Sequence, residues 1–230
     1  VIDGDVREWT GRVIELKQSL EGATFETNVV RAWVGADADA LYVAMRVPVS
    51  DSRALRTKGH LWGATDGVEI ALQSGDVPSP ILSLHGWADG HFCAPAQAGA
   101  PDALRKRLEE GVVYRSAVGT NAWTCEWRIP LAACGLKAGS VLTMNCNLTA
   151  RLAAQNAWRT WKIASGSTYD LNNGGALVLP SASATLTGSL KDGLAVWLDA
   201  ADATTVERGA DGAVSVWKDK SGNGRDAAQA

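Results

Sequence analysis

Apolar and polar residues alternate with a period of two through most of the first 180 positions, the pattern of half-buried β-strands. From Asn28 to Val34, Val29, Arg31 and Trp33 alternate with Val30, Ala32 and Val34. Ala36-Asp37-Ala38-Asp39 breaks the run and Leu41 to Val47 resumes it, which predicts strand, turn, strand. Val68 to Leu72 and Ile81 to His85 are two further strands, the second ended by Gly86. Val112 to Val118 and Trp123 to Ile129 form a hairpin across Gly119-Thr120-Asn121. In its second strand Trp123, Cys125, Trp127 and Ile129 share one face, while Thr124, Glu126 and Arg128 share the other. Pro130 ends that strand, and Leu131 to Gly135 reads as a one-turn helix. Val141 to Arg151 is the longest strand, with Met144, Cys146 and Leu148 facing one way. Asn145, Asn147, Thr149 and Arg151 face the other way, so that side is either solvated or lines a polar groove. Trp158 to Ile163 and Ala176 to Leu179 complete the set, and Asp102 to Glu110, between Pro101 and Gly111, predicts one short helix. About nine short strands separated by turn signals indicate an all-β chain, an antiparallel β-sandwich of jelly-roll-like character.

The pattern changes after residue 180. Residues 181–189 are rich in Ser, Ala and Thr and read as a linker. Residues 190–230 carry Gly193 to Ala200, Gly212 to Trp217 and the tight turn Asp219-Lys220-Ser221-Gly222-Asn223-Gly224. These are two or three strands of a partial second β domain, too short to bury a core of its own. The tail is therefore expected to pack on the first domain, residues 1–180, or to complete a sheet with a neighbouring chain. The chain opens at Val1 with no Met and no signal peptide, as expected of an excised or processed piece.

Composition narrows the function classes. The apolar share is 46% and the charged share 20%, ordinary for a globular protein. Net charge is −3 and no basic run exceeds Leu104-Arg105-Lys106-Arg107, which argues against nucleic acid as a partner. No apolar run approaches the ~18 residues of a membrane span. The 10 Trp against 2 Phe and 3 Tyr suggest that flat amphipathic rings are wanted at a surface, although each alone fits a core equally well. Cys93, Cys125, Cys134 and Cys146 allow three pairings, and the absence of Cys-x-x-Cys argues against a zinc site.

The candidate chemistry is that of saccharide recognition. In Trp62-Gly63-Ala64-Thr65-Asp66-Gly67-Val68-Glu69 a loop aromatic precedes an Asp-Gly turn and a strand carboxylate. A flat ring stacks on the C–H face of a pyranose, and planar groups fix its hydroxyls; Trp62, Glu69, Asn147 and Arg151 supply a ring, a carboxylate, an amide and a guanidinium. The alternatives are a core Trp62, a Glu69 paired with Arg151 or Arg128, and an Asn147 serving only the strand. Asn147-Leu148-Thr149 also forms a glycosylation sequon, within a strand. Catalysis is poorly supported. There is no Gly-x-Ser-x-Gly, the histidines are His60, His85 and His91, and nothing brings Glu69 and Glu126 together as a glycosidase pair. His85 and His91 flank Asp89 in a Gly-rich loop that could hold a metal, but a surface loop explains them as well. A haem-binding redox domain with Met45 or Met144 opposite His60 or His85 is a minor alternative, since both Met fit a core.

Three stretches together resemble carbohydrate-binding module family 9: Ile2-Asp3-Gly4-Asp5 with Trp9; Trp62 to Glu69; and Cys125-Glu126-Trp127-Arg128-Ile129-Pro130 followed by Met144-Asn145-Cys146-Asn147. Leu41-Tyr42-Val43-Ala44 and Gly175-Ala176-Leu177-Val178-Leu179 agree with it, so the resemblance spans roughly residues 1–180. It implies a non-catalytic β-sandwich that binds a polysaccharide or oligosaccharide between two rings. Trp62 would be one ring, Tyr169 the second, Glu69 and Asn147 the hydroxyl ligands, and His85 would stand in for a basic residue. It also implies structural calcium, with Asp3, Asp5 or Asp66 as ligands. Trp197-Leu198-Asp199-Ala200 and Trp217 to Gly224 resemble the start of a laminin-G-like or concanavalin-A-like jelly roll. The expected setting is a secreted or cell-surface protein of many domains, with the tail contacting other domains or neighbouring chains. Within it, a structural or adhesive spacer without a working sugar site is the other reading.

Overall fold

The computed structural model describes residues 1–75, 78–136, 142–162, 167–169, 171–172, 174–179, 198, 203–209, 212–221 and 224–228. The chain divides into two compact units, Val1–Ala182 and Ser183–Ala230. The first is a sandwich of two antiparallel sheets. Its strands are β1 (Ile14–Leu16), β2 (Val30–Ala36), β3 (Ala40–Pro48), β4 (Gly67–Ser74), β5 (Leu82–Trp87), β6 (Phe92–Cys93), β7 (Val113–Val118), β8 (Ala122–Pro130), β9 (Leu142–Leu152), β10 (Ala157–Thr160) and β11 (Gly175–Leu179). The first sheet has the order β1-β2-β3-β8-β7; the second has β10-β9-β4-β5-β6, with β11 also pairing with β9.

The period-two pattern accounts for the core. Leu41, Val43, Met45 and Val47 of β3 and Trp123, Cys125, Trp127 and Ile129 of β8 are buried from one sheet. Val68, Ile70 and Leu72 of β4 meet them from the other, with Leu82 and Leu84 of β5 and Met144, Cys146, Leu148 and Ala150 of β9. Gly86 completes the inner face of β5, where a Cβ would fall 2.4 Å from the Trp127 ring and 2.8 Å from Tyr114, so only glycine fits. One helix, α1 (Asp102–Gly111), buries Leu104 and Leu108 against this core, where the Pro101 and Gly111 signals place it.

Both methionines lie in that core, whereas His85 points from the opposite face of its sheet, so neither Met faces His85. Leu131 to Gly135 is a run of turns and not a helix. The short edge strands β1 and β6 carry too few residues for an alternation to register. The expected linker lies outside the described residues, as does the strand expected at Gly193 to Ala200 apart from Leu198. All four cysteines are free thiols. Burial pushes Cys125, Cys134 and Cys146 up to about 12. In the second unit β12 (Val206–Arg208), β13 (Val214–Trp217) and β14 (Ala227–Ala228) form an antiparallel sheet in that order. Lys218 and Glu207 close an exposed ion pair at 2.6 Å.

The amino-terminal segment is fastened by one carboxylate. Glu126 is on the outer face of β8 yet has no exposed surface. Its Oε2 accepts the amides of Asp3 at 2.9 Å and Gly4 at 2.7 Å, and its Oε1 accepts Trp9 Nε1 at 2.6 Å. Gly4 has φ +93°, and a Cβ there would lie 2.9 Å from the Ser116 carbonyl carbon. Glu126→Ala would leave those donors buried without an acceptor, and is expected to destabilise the fold by about 3 kcal/mol in urea denaturation. Glu126→Gln, which keeps one acceptor oxygen, should lose less.

Candidate functional site

The outer face of the second sheet is polar and buried. Alternation places Glu69 of β4, Ser83 and His85 of β5, Asn147, Thr149 and Arg151 of β9, and Thr160 of β10 on this side. The register aligns His85 with Glu69, Glu69 with Thr149 and Thr149 with Thr160 in one row across four strands. Glu69 is 1% exposed. Its Oε2 accepts Ser83 Oγ at 2.9 Å and His85 Nε2 at 2.7 Å, which assigns the imidazole proton to Nε2 because a carboxylate only accepts. Its Oε1 is equally buried and has no hydrogen-bond partner among the described residues. A buried carboxylate oxygen without a donor is costly, and it is the unsatisfied group of this face that a ligand hydroxyl would complete.

Trp62 covers that row. Its ring stacks on His85 with centroids 4.3 Å apart and planes at 23°, and Trp158 meets it edge-on at 5.5 Å. Trp62 is half-buried, between the core and surface alternatives weighed for it. The loop that carries it is pinned at both ends. Asp66, 3% exposed, accepts the amides of Arg56 at 2.8 Å and Ala153 at 2.7 Å. Arg151 donates from Nε to the Gly63 carbonyl at 2.7 Å, from Nη1 to Ala157 O and from Nη2 to Asn156 Oδ1, and its guanidinium lies 5.2 Å from the Trp158 ring. Burial lowers its pKa.

The structure therefore gives several expected ligand groups internal work. Arg151 holds the Trp62 loop and pairs with neither Glu69 nor Glu126. Asn147, 1% exposed, donates to Thr160 Oγ1 at 3.0 Å and to Thr168 O at 3.2 Å. Its Oδ1 accepts Thr160 Oγ1 and Lys162 N, each at 3.2 Å. The sequon at Asn147 is thus buried in a strand, out of reach of a glycan in the folded protein. Tyr169 is half-buried, and among the described residues the rings touching Trp62 are His85 and Trp158. Asp3 is exposed and accepts the Asp5 amide, while Asp5 is paired with Arg7, whose guanidinium holds its carboxyl down at about 2. Asp66, in the bend before β4, has an amide on each oxygen. No group of three His, Cys, Asp or Glu side chains among the described residues could hold a metal ion. Glu69 and Glu126 stand on the outer faces of opposite sheets, not across a cleft.

Other members of the site escaped the sequence reading. Ser83 had a signal, being two residues before His85 on one strand. Trp158 joins through the β9–β10 register, which sets it opposite Arg151. Trp87 donates from Nε1 to Thr65 Oγ1 at 2.8 Å, and it is fully buried although it points outward. Beside it, His60 bonds Asp89 Oδ2 at 2.8 Å and stacks on His91 at 3.9 Å. His85, expected with His91 around Asp89, turns instead to Glu69.

No family model matches the sequence, and no curated protein matches it. Solved structures do. A family 9 carbohydrate-binding module from Caldicellulosiruptor kristjanssonii in complex with cellotriose superposes with a TM-score of 0.55 at 21% identity, covering 79% of this chain and 89% of that one. A structure of a family 9 module from the same organism in complex with glucose gives 0.58 at 20% identity, covering 82% and 95%. A putative carbohydrate-binding protein from Bacteroides uniformis gives 0.54 at 12% identity, covering 73% and 86%. The chain has the fold of a family 9 module.

His91, stacked on His60, gives the fold a dependence on pH. Burial holds His91 below the usual histidine range, and the neighbouring charge of His60 acts the same way, against Asp89. A base whose pKa is lowered on folding binds more protons unfolded, so stability falls as pH drops below the ordinary value of 6.5. In urea melts at about pH 7.5 and about pH 5, His91→Gln is expected to lose less stability over that interval than the wild type.

Proposed function

We propose that the chain is a non-catalytic carbohydrate-binding module of a larger secreted or surface protein, gripping an oligosaccharide on the outer face of the β4–β5–β9 sheet. The observation that carries this reading is the Glu69 oxygen left without a donor beside a half-exposed Trp62. A sugar hydroxyl donating to Oε1 satisfies a carboxylate already oriented by His85 and Ser83, and the ring offers the apolar contact. Because Oε1 is buried, a hydroxyl reaches it only when the groups over it move. The glucose and cellotriose complexes of the structural neighbours support this class of ligand. Residues 190–230 are read as the opening of a laminin-G-like domain of the same polypeptide, contacting further domains or chains.

The engagement of Asn147 and Arg151 in internal bonds favours a second reading, a spacer that keeps the fold without the site. Calorimetric titration with glucose and cellotriose separates the two. Trp62→Ala is expected to weaken binding about tenfold, and Glu69→Gln by at least as much. Binding that is equal in wild type and both variants would remove the site from this face. No binding by any of them would favour the spacer.

A further inference from the structure

The first sheet carries a groove of its own on its outer face, about 680 Å³ in volume, between residues 4–9, strands β2 and β3, and the turn joining β7 to β8. Trp9 and Trp33 line it, both half-buried, with Arg46 and Asn121. Trp33 does not serve the core, because alternation along β2 sends Val30 and Ala32 inward and Arg31 and Trp33 outward. It lies opposite Ala44, which is fully buried although it is on the outer face.

The same register sets Arg31 directly opposite Arg46. Two like charges in opposed positions on one sheet face destabilise it. Among the described residues neither guanidinium is paired with a carboxylate, and Arg46 reaches only the Asn121 amide oxygen, at 3.4 Å. Of the acidic groups around them, Asp5 is held by Arg7 at 2.6 Å and both oxygens of Glu126 are filled by Asp3, Gly4 and Trp9, while Glu15 of β1 lies directly across from Arg31. The groove thus combines flat rings with the Arg46 guanidinium, which has no carboxylate partner among the described residues, on a chain whose net charge is −3.

We propose that this groove binds an acidic saccharide, a uronate-bearing glycan whose pyranose face lies on Trp33 and whose carboxylate meets Arg46. Guanidinium groups match a carboxylate in geometry as well as charge, and the ring adds a contact that a bare anion cannot use. The groove lies on the opposite face of the sandwich from Glu69, so the proposal stands apart from the site described above.

Titration with an oligogalacturonate, beside cellotriose and inorganic sulfate, tests it. Wild type and Trp62→Ala should bind the oligogalacturonate equally, with affinity that falls as salt rises. Trp33→Ala and Arg46→Gln should each weaken it about tenfold. Should Trp33→Ala fold poorly, Trp33→Leu retains bulk without a flat ring, and the same loss is expected. Absence of oligogalacturonate binding by the wild type overturns the proposal, as does binding unchanged in Trp33→Ala and Arg46→Gln, or lost in Trp62→Ala. Binding that depends on Arg46 but not on Trp33, and that sulfate matches, marks a simple anion site and overturns it as well. Cellotriose binding lost in Trp62→Ala alone concerns the Glu69 face and leaves this groove's result independent.

Discussion

A carboxylate taken out of water must be surrounded by donors, and two such groups organise the outer faces of this sandwich. Glu126 on the first sheet is fully supplied, and in being supplied it fastens residues 3–9 across the strands. Glu69 on the second sheet is supplied on one oxygen only. The contrast separates a structural carboxylate from a candidate ligand for a hydroxyl. The donors on Oε2, from Ser83 and His85, orient the Glu69 side chain, and Trp62 stacks on that same His85.

Around Glu69 the polar residues form a second buried layer, built by bonds between side chains and loop backbone. Asp66 and Arg151 act on the loop and Asn147 on the segment containing Thr168, so each substitution there would be felt first as stability. This is why a residue type suited to sugar recognition is weak grounds for a binding role by itself. An amide or guanidinium in a strand is equally suited to satisfying the backbone of a loop folded over it, and burial decides between the two uses.

Trp residues show the same division. Trp87, Trp123 and Trp127 are fully buried, whereas Trp9, Trp33, Trp62, Trp158 and Trp161 of the same unit are half-buried. Trp62 and Trp158 meet on the outer face of the second sheet and Trp9 and Trp33 line the groove of the first, whereas Trp161 packs against the core. The excess of Trp over Phe therefore reflects outer faces that carry a hydrophobic second layer as well as the core rings Trp123 and Trp127.

By itself the sequence determined the inner faces: the alternation of β3, β4, β8 and β9, the hairpin at Gly119-Thr120-Asn121, and the helix between Pro101 and Gly111 follow from neighbours two to four residues apart. It also singled out Trp62 and Glu69, because a loop ring before a strand carboxylate is a local feature. Tertiary structure decided what covers each outer face. Glu126 meets Gly4 across 122 residues, Asp66 meets Ala153 across 87, and Trp62 finds His85 on a neighbouring strand. Such partners depend on strand order and register, which alternation leaves open because it specifies which side a residue faces and not what lies above it.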